Sequence, residues 1–382
     1  MNRQTLIAAD QHWLLWAILI SVAFLGLWGE RTKVGSKISA VVISILGTFV
    51  LSNLSIIPSD APAYDTVWSF LVPLAIPLLL FKADLKRIIK EAGPTLLAYF
   101  FGAIGTIAGT IIAFESLPLG PDGWKFAAIF SSTYIGGSMN YVAAAQAVQL
   151  KSGNMLAAGV AADNLVMATY FLVLFAIPSI KFFQRKYANK YNADPAQGAV
   201  ENASGFNGDN KLDLMNMGKS LSISASICAA GFLLETFLGI KGSAILIITA
   251  IIVLIATVFH KQMSQIKGAE IIGTFLMQIF FAAIGASANI GIVLKYGPIL
   301  FLFAAFILFV HLLFILIAGK FFNLDLAEIL IASNANIGGP TTAAAMAVAN
   351  KWNALVIPSI LCGTLGYATA TFIGVGLGFW LK

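Results

Sequence analysis

Twelve apolar stretches, each long enough to cross a lipid bilayer, leave this 382-residue chain little freedom in what it can become. They run over residues 12–29, 36–56, 66–83, 94–115, 124–150, 154–180, 219–239, 242–260, 270–293, 298–319, 326–350 and 353–381. A bilayer core needs about 20 mostly apolar residues per helix. Inside it every backbone N–H and C=O must be satisfied within the protein, which long apolar runs achieve only as helices. Charged residues make up 10% of the chain and hydrophobic ones 59%, whereas soluble domains carry roughly 25% charged residues. Soluble enzymes, nucleic-acid binders and disordered scaffolds are excluded. The expected class is an all-α integral membrane protein, with the lipid bilayer as its solvent and no nucleic acid among its partners. Cys228 and Cys362 lie inside apolar runs, so no disulfide framework is implied. The first run leads into Arg31 and Lys33 without a small-residue cleavage site, so a cleavable signal peptide is not expected.

The fifth and eleventh stretches share an unusual interruption. The fifth reads Ile135-Gly136-Gly137-Ser138-Met139-Asn140-Tyr141-Val142, then Ala143-Ala144-Ala145-Gln146-Ala147-Val148. The eleventh reads Ile337-Gly338-Gly339-Pro340-Thr341-Thr342, then Ala343-Ala344-Ala345-Met346-Ala347-Val348. With two residues gapped they agree. In the same order Lys151 matches Lys351, Ala168-Thr169 matches Ala368-Thr369, and Gly93-Pro94 matches Gly297-Pro298. Such ordered self-similarity marks a duplicated architecture. Its expected parts are a first half over 1–180, a polar linker over 181–218 and a second half over 219–382.

Charge placement decides how the halves are oriented. If all twelve stretches cross, the 23 Lys and Arg residues divide 12 to 11 between the two sides. If the two Gly-Gly stretches instead enter and return on one side, ten spans cross and the halves are inverted. Seventeen of the 23 basic residues then lie on one side, Arg31, Lys86, Lys186 and Lys351 among them, and six on the other, including Lys125, Lys151 and Lys382. Cytoplasmic loops retain Lys and Arg, so this scheme puts the N-terminus outside and the linker in the cytoplasm. A Gly pair weakens a helix by roughly 1 kcal/mol per Gly, and a chain turn at membrane depth is tolerated where protein or water covers it. The expected fold is therefore two inverted repeats, each of five transmembrane helices plus one re-entrant hairpin.

Paired broken elements in inverted repeats point to transport, with the solute held near the midplane. Beyond each turn a half-helix starts, near Met139 and near Thr341, and its first N–H groups lack intrahelical partners. Two such positive ends make a cradle for an anionic group without burying a Lys or Arg. The candidate solute-binding residues are Gly136, Gly137, Ser138, Asn140, Gly338, Gly339, Thr341 and Thr342. Hydroxyl, amide and carbonyl oxygens are hard ligands that suit Na⁺, and the candidate cation ligands are Thr133, Asp163, Asn164, Ser287, Asn289, Asn334 and Asn336. Asp163 reads by default as a cation ligand or a proton carrier, since ionisable groups inside a membrane are costly, and alternatively as a structural carboxylate paired within the bundle. Ser287, Asn289 and Gln278 equally suit helix packing. His311 reads first as a hydrogen-bonded structural residue and second as a proton relay. Pro73 and Pro77 are expected to disrupt the third stretch. No phosphate-binding loop, zinc motif or Cys/His cluster is present, and no enzyme activity is expected.

At the IGGS…AAAQAV, IGGPTTAAAMAV and GASAN motifs the chain resembles, over nearly its whole length, the uncharacterised YjcL-like family of polytopic membrane proteins, long carried as a domain of unknown function. More distantly it is similar to sodium–glutamate symporters and 2-hydroxycarboxylate transporters. The expected function is a secondary active transporter of a small anionic solute in a bacterial inner membrane. Na⁺-coupled symport is expected because neutral oxygen ligands outnumber midplane acids, with an H⁺-coupled transporter or a passive channel on the same scaffold as the alternative. The similarity implies an elevator mechanism, in which a core slides against a scaffold that forms a homodimer. Gly136, Gly137, Gly338 and Gly339 inherit the hairpin-tip role; Ser138-Met139 and Pro340-Thr341 depart from the usual GGxG pattern.

Overall fold

The computed structural model describes residues 5–32, 40–188, 190–192, 213–239, 243–288 and 290–382. Among these the regular structure is helical, and the only β pairing is one isolated bridge between Ala188 and Asp325. Among the described residues eight helices are long and apolar enough to cross a membrane, and two shorter apolar helices, Ala40–Asn53 and Ala244–Val258, accompany them.

In chain order the elements are α1 (His12–Glu30), α2 (Ala40–Asn53), α3 (Pro62–Leu80), α4 (Gly93–Ser116), α5 (Gly123–Gly136), α6 (Met139–Ala147), α7 (Gly153–Ala176), α8 (Leu214–Leu238), α9 (Ala244–Val258), α10 (Ala269–Ala286), α11 (Ile290–Phe321), α12 (Leu326–Ala349) and α13 (Val356–Leu381). α3 contains a π-helical turn at Val67–Leu71. Pro77 lies inside this element and cannot donate to the carbonyl one turn before it. That carbonyl, of Pro73, accepts the Cys228 thiol of α8 at 3.2 Å, so a neighbouring helix satisfies the group that proline freed.

Both Gly-Gly elements double back. The rings of Phe130 in α5 and Tyr141 in α6 lie 6.2 Å apart, where a continuous helix would separate these positions by about 16 Å. In α12, Asn334 Nδ2 reaches Met346 Sδ at 3.4 Å, against about 18 Å along an unbroken helix. The two fold-backs start from opposite ends of the molecule. Trp124, at the start of α5, packs on Phe379 with the two rings tilted by 37°, and lies under the Lys382 ammonium. The start of α12 is joined instead to the chain leaving α7, where Leu326 N–H donates to Ala188 O at 3.0 Å.

The helices sort into two packing groups. α4, α5, α6, α7, α11, α12 and α13 pack chiefly on one another; α1, α2, α3, α8, α9 and α10 form the second group. Contacts between the groups are few and run mainly from α6, α7 and α13 to α9, α10 and α3. Within the second group α10 lies so close to α2 that a Cβ on Gly285 would overlap the Ile45 carbonyl, and Ser44 Oγ donates to Gln278 Oε1 at 3.1 Å. Gln278 thus serves helix packing.

The segment expected as a linker over 181–218 has structure at both of its ends. Lys181–Lys186 is a short helix, and α8 begins at Leu214. Lys190 N–H donates to Asp325 Oδ2 at 2.6 Å, and Tyr191 OH donates to Glu328 Oε1 at 3.0 Å. Glu328 is buried under this strap. Burial holds the Asp325 carboxyl above the usual carboxylate range, and the N–H groups of Lys190 and Ala327 partly offset it.

Candidate functional site

The second glycine of each pair carries the break. Gly137 has φ 82° and ψ 166°, and Gly339 has φ 81° and ψ −167°. A side chain is strained in this region. The two turns meet. Gly137 N–H donates to Asn336 O at 2.8 Å, and a Cβ on Gly137 would lie 3.1 Å from Gly339 Cα. α13 passes against both. A Cβ on Gly366 would come within 2.6 Å of Gly136 Cα, and one on Gly363 within 2.6 Å of Pro340 Cα. Glycine is required here because three backbones share the space that side chains would fill.

Amides and hydroxyls knit the junction. Asn140 Nδ2 donates to Gly136 O at 2.7 Å, while Thr371 of α13 donates to Asn140 Oδ1 at 2.7 Å. Ile135 O accepts both Tyr99 OH at 2.8 Å and Asn336 Nδ2 at 3.1 Å. Thr342 donates to Asn334 Oδ1 at 2.7 Å. Asn336 Oδ1 is fully buried without a hydrogen-bond partner, which makes it the acceptor at this junction still open to a cation or a donor. Beside the junction, Asn140, Tyr367, Thr371 and Thr249 line a cleft between the two helix groups.

Of the candidates named from sequence, Gly136, Gly137, Asn140, Gly339 and Asn336 converge. Gly338, half-buried against Phe171, together with Thr342 and Asn334, flanks them. Ser138 is half-buried and turns to Met167, while Thr341 is exposed. Thr133 is not directed at the junction, because its hydroxyl bonds Ile129 O in its own helix at 2.7 Å. Asn164 likewise bonds Val160 O at 2.8 Å. Ser287 ends α10 against Gly153, well away from the tips. Asn289 lies outside the described residues.

Asp163 stands apart as a buried carboxylate of α7 facing Tyr134 of α5 and near Tyr141. Neither its Oδ1 nor the Tyr134 hydroxyl reaches good hydrogen-bond geometry, and among the described ion pairs none involves it. His311 is fully enclosed, with Nδ1 at 2.8 Å from Gly102 O and Nε2 at 3.0 Å from Ser333 Oγ. It therefore fits the structural reading. No group of three or more His, Cys, Asp and Glu that could hold a metal occurs among the described residues.

Sequence reasoning missed Tyr99, Tyr134, Tyr367 and Thr371. The available signal was a tyrosine in mid-span, whose hydroxyl needs a partner when buried.

The family model described as "Protein of unknown function (DUF819)" matches residues 17–382. The chain is also 37% identical to the "Uncharacterized membrane protein YjcL" of Bacillus subtilis (strain 168), over 99% of both chains. With several apolar helices and this relative, it is a multi-pass membrane protein. The chain belongs to the DUF819 family.

Proposed function

We propose that this protein is a secondary active transporter that couples Na⁺ to the movement of a small anionic solute by alternating access. The observation that carries the reading is the meeting of two doubled-back elements at Gly137 and Gly339. Each presents the N-terminus of a half-helix, at Met139 and just beyond Gly339, to the same interior region. Such ends hold an anion without a buried cation. The solute site is the junction with its cleft, where Asn140, Thr371 and Tyr367 supply polar contacts. Na⁺ ligands are drawn from Asn336 Oδ1 and neighbouring carbonyls, which are hard oxygens.

On this reading the halves 1–180 and 219–382 are inverted repeats, each of five crossings and one re-entrant hairpin, joined by the cytoplasmic 181–218 segment. The sparse contact between the two helix groups supports an elevator, with α4–α7 and α11–α13 as its moving core. The other group is the scaffold and the homodimer surface, in a bacterial inner membrane. Coverage of the two arms is unequal. α6 packs on α3 and α9, whereas Thr341, Ala345 and Ala349 of the second arm are exposed. This supports a conformation open toward the Lys186 side, the cytoplasm in the charge scheme.

A second reading, H⁺ coupling, rests on Asp163, a buried carboxylate with no ion pair among the described residues. Uptake into proteoliposomes separates these readings. Accumulation above equilibrium driven by a Na⁺ gradient is expected. Uptake driven only by a proton gradient favours Asp163, and equilibration without accumulation marks a passive facilitator.

A further inference from the structure

The cleft beside the Gly-Gly junction has a volume of about 340 Å³, part of it open solvent, and its two sides differ in chemistry. The side formed by the first helix group carries Asn140, Tyr367 and Thr371. The opposite side, from α3 and α10, is a wall of Ile76, Leu79, Leu80 and Met277. Thr249 of α9 also lines it, but its hydroxyl donates to Ile245 O at 2.8 Å in its own helix. Among the described residues no Lys, Arg, His, Asp or Glu lines the cleft. Glu270, in an adjoining crevice that shares Leu79, is paired with Lys82 at 3.5 Å. Donors remain at the polar end. The N–H groups of Asn140 and Tyr141 are bonded to Gly137 O and Ser138 O, whereas those of Ser138 and Met139 have no acceptor among the described residues. Met139 lines the cleft. The Tyr367 hydroxyl likewise has no hydrogen-bond partner among the described residues. It lies where the two turns meet, and a Cβ on Gly339 would come within 2.9 Å of it.

A carboxylate has lone pairs enough to accept from two N–H groups and a phenol together, and the helix end adds its partial positive charge. The rest of such a solute then lies along the apolar wall. A second carboxylate or an ammonium placed there would be desolvated without a partner, which disfavours it strongly, whereas methylene groups gain by burial. We propose that the solute of the junction is an aliphatic monocarboxylate. Its carboxylate accepts from Ser138 N–H, Met139 N–H and Tyr367 OH, and its chain lies against Leu79 and Met277. The proposal rests on the transport reading above and narrows its solute from any small anion to one with a single charge and an apolar body. Head and chain are held by different helix groups, so the occupant bridges the cleft. The uncharged wall rejects competitors that carry a second charge.

The test is thermal unfolding of the purified full-length protein in Na⁺ buffer with hexanoate, hexanamide, adipate and 6-aminohexanoate, probes of one chain length that differ in charge. A ligand of the folded state raises the melting temperature. Hexanoate is expected to raise it and the other three to leave it unchanged. Tyr367→Phe, which removes a hydroxyl without a protein partner, should keep the unliganded melting temperature and weaken hexanoate binding by about tenfold. Leu79→Lys, which brings a cation to the half-buried apolar wall, should pass the response from hexanoate to adipate, a gain that misfolding does not produce. A wild-type response to adipate in place of hexanoate overturns the apolar body and leaves an anionic solute standing. Equal responses to hexanoate and hexanamide overturn anion recognition as well. No response to hexanoate, or full hexanoate binding by Tyr367→Phe, also overturns the proposal, whereas the transport reading falls only with the proteoliposome uptake assay.

Discussion

Gly137 and Gly339 concentrate the strain of the molecule at two residues. Each occupies a backbone region that costs a side chain of order 1–3 kcal/mol, and each lies against the other's turn. Gly137→Ala and Gly339→Ala are therefore expected to lower stability by about that amount and to abolish uptake. Gly376→Ala, in open space on α13, should change neither; melting curves and uptake on the three variants check this. Asp163→Asn has the opposite signature. Removing an ionisable group that is buried without a cation among the described residues removes a desolvation cost, so the variant should melt at or above the wild-type temperature. Na⁺-driven uptake should persist on the Na⁺-coupled reading and be lost on the H⁺-coupled one. A wild-type uptake rate in Asp163→Asn would remove this residue from the coupling. The glycine pairs were legible because two adjacent glycines inside an apolar run have no helical purpose. Which member carries the positive φ was not, and neither was the role of Tyr367 or Thr371. Those depend on α13 crossing the tips more than 200 residues away from Asn140 in sequence.

Between elements the core group is held by buried polar contacts as well as by small-residue packing. His311 of α11 joins Gly102 of α4 and Ser333 of α12, and Ser333 Oγ lies 2.6 Å from Tyr170 OH of α7. Ser333→Ala leaves an imidazole nitrogen and a phenol without this partner, at a cost of about 1–3 kcal/mol. The melting temperature should fall while the labelling pattern of the loops is unchanged. The long apolar runs predicted the elements well because their length alone demands helices. The 181–218 segment was read from composition, which registers polarity but not the particular backbone pairing of Ala188 and Lys190 to the root of α12. The same limit applies to Thr133, whose hydroxyl was a candidate ligand by type and is turned into its own helix by geometry.

At the scale of the whole molecule, two helix groups with little contact between them are the physical basis of the relative motion proposed above. α6 and α9 face each other across the cleft, where Ala143 and Thr249 both line it. In a variant with cysteines at these two positions, oxidative cross-linking should arrest uptake and reduction should restore it. Unimpaired uptake in the cross-linked protein would rule out sliding along this face. At this scale the charge distribution is the sequence signal on which the proposed ten-crossing scheme rests: a count of basic residues along the chain favours ten crossings over twelve. The account rests on the two Gly-Gly elements entering the membrane from opposite faces. Labelling of Lys151→Cys and Lys351→Cys in intact cells and inverted vesicles with a membrane-impermeant thiol reagent tests this directly. Lys151→Cys should react only from outside and Lys351→Cys only from the cytoplasmic face; labelling of both from the same face would contradict the account.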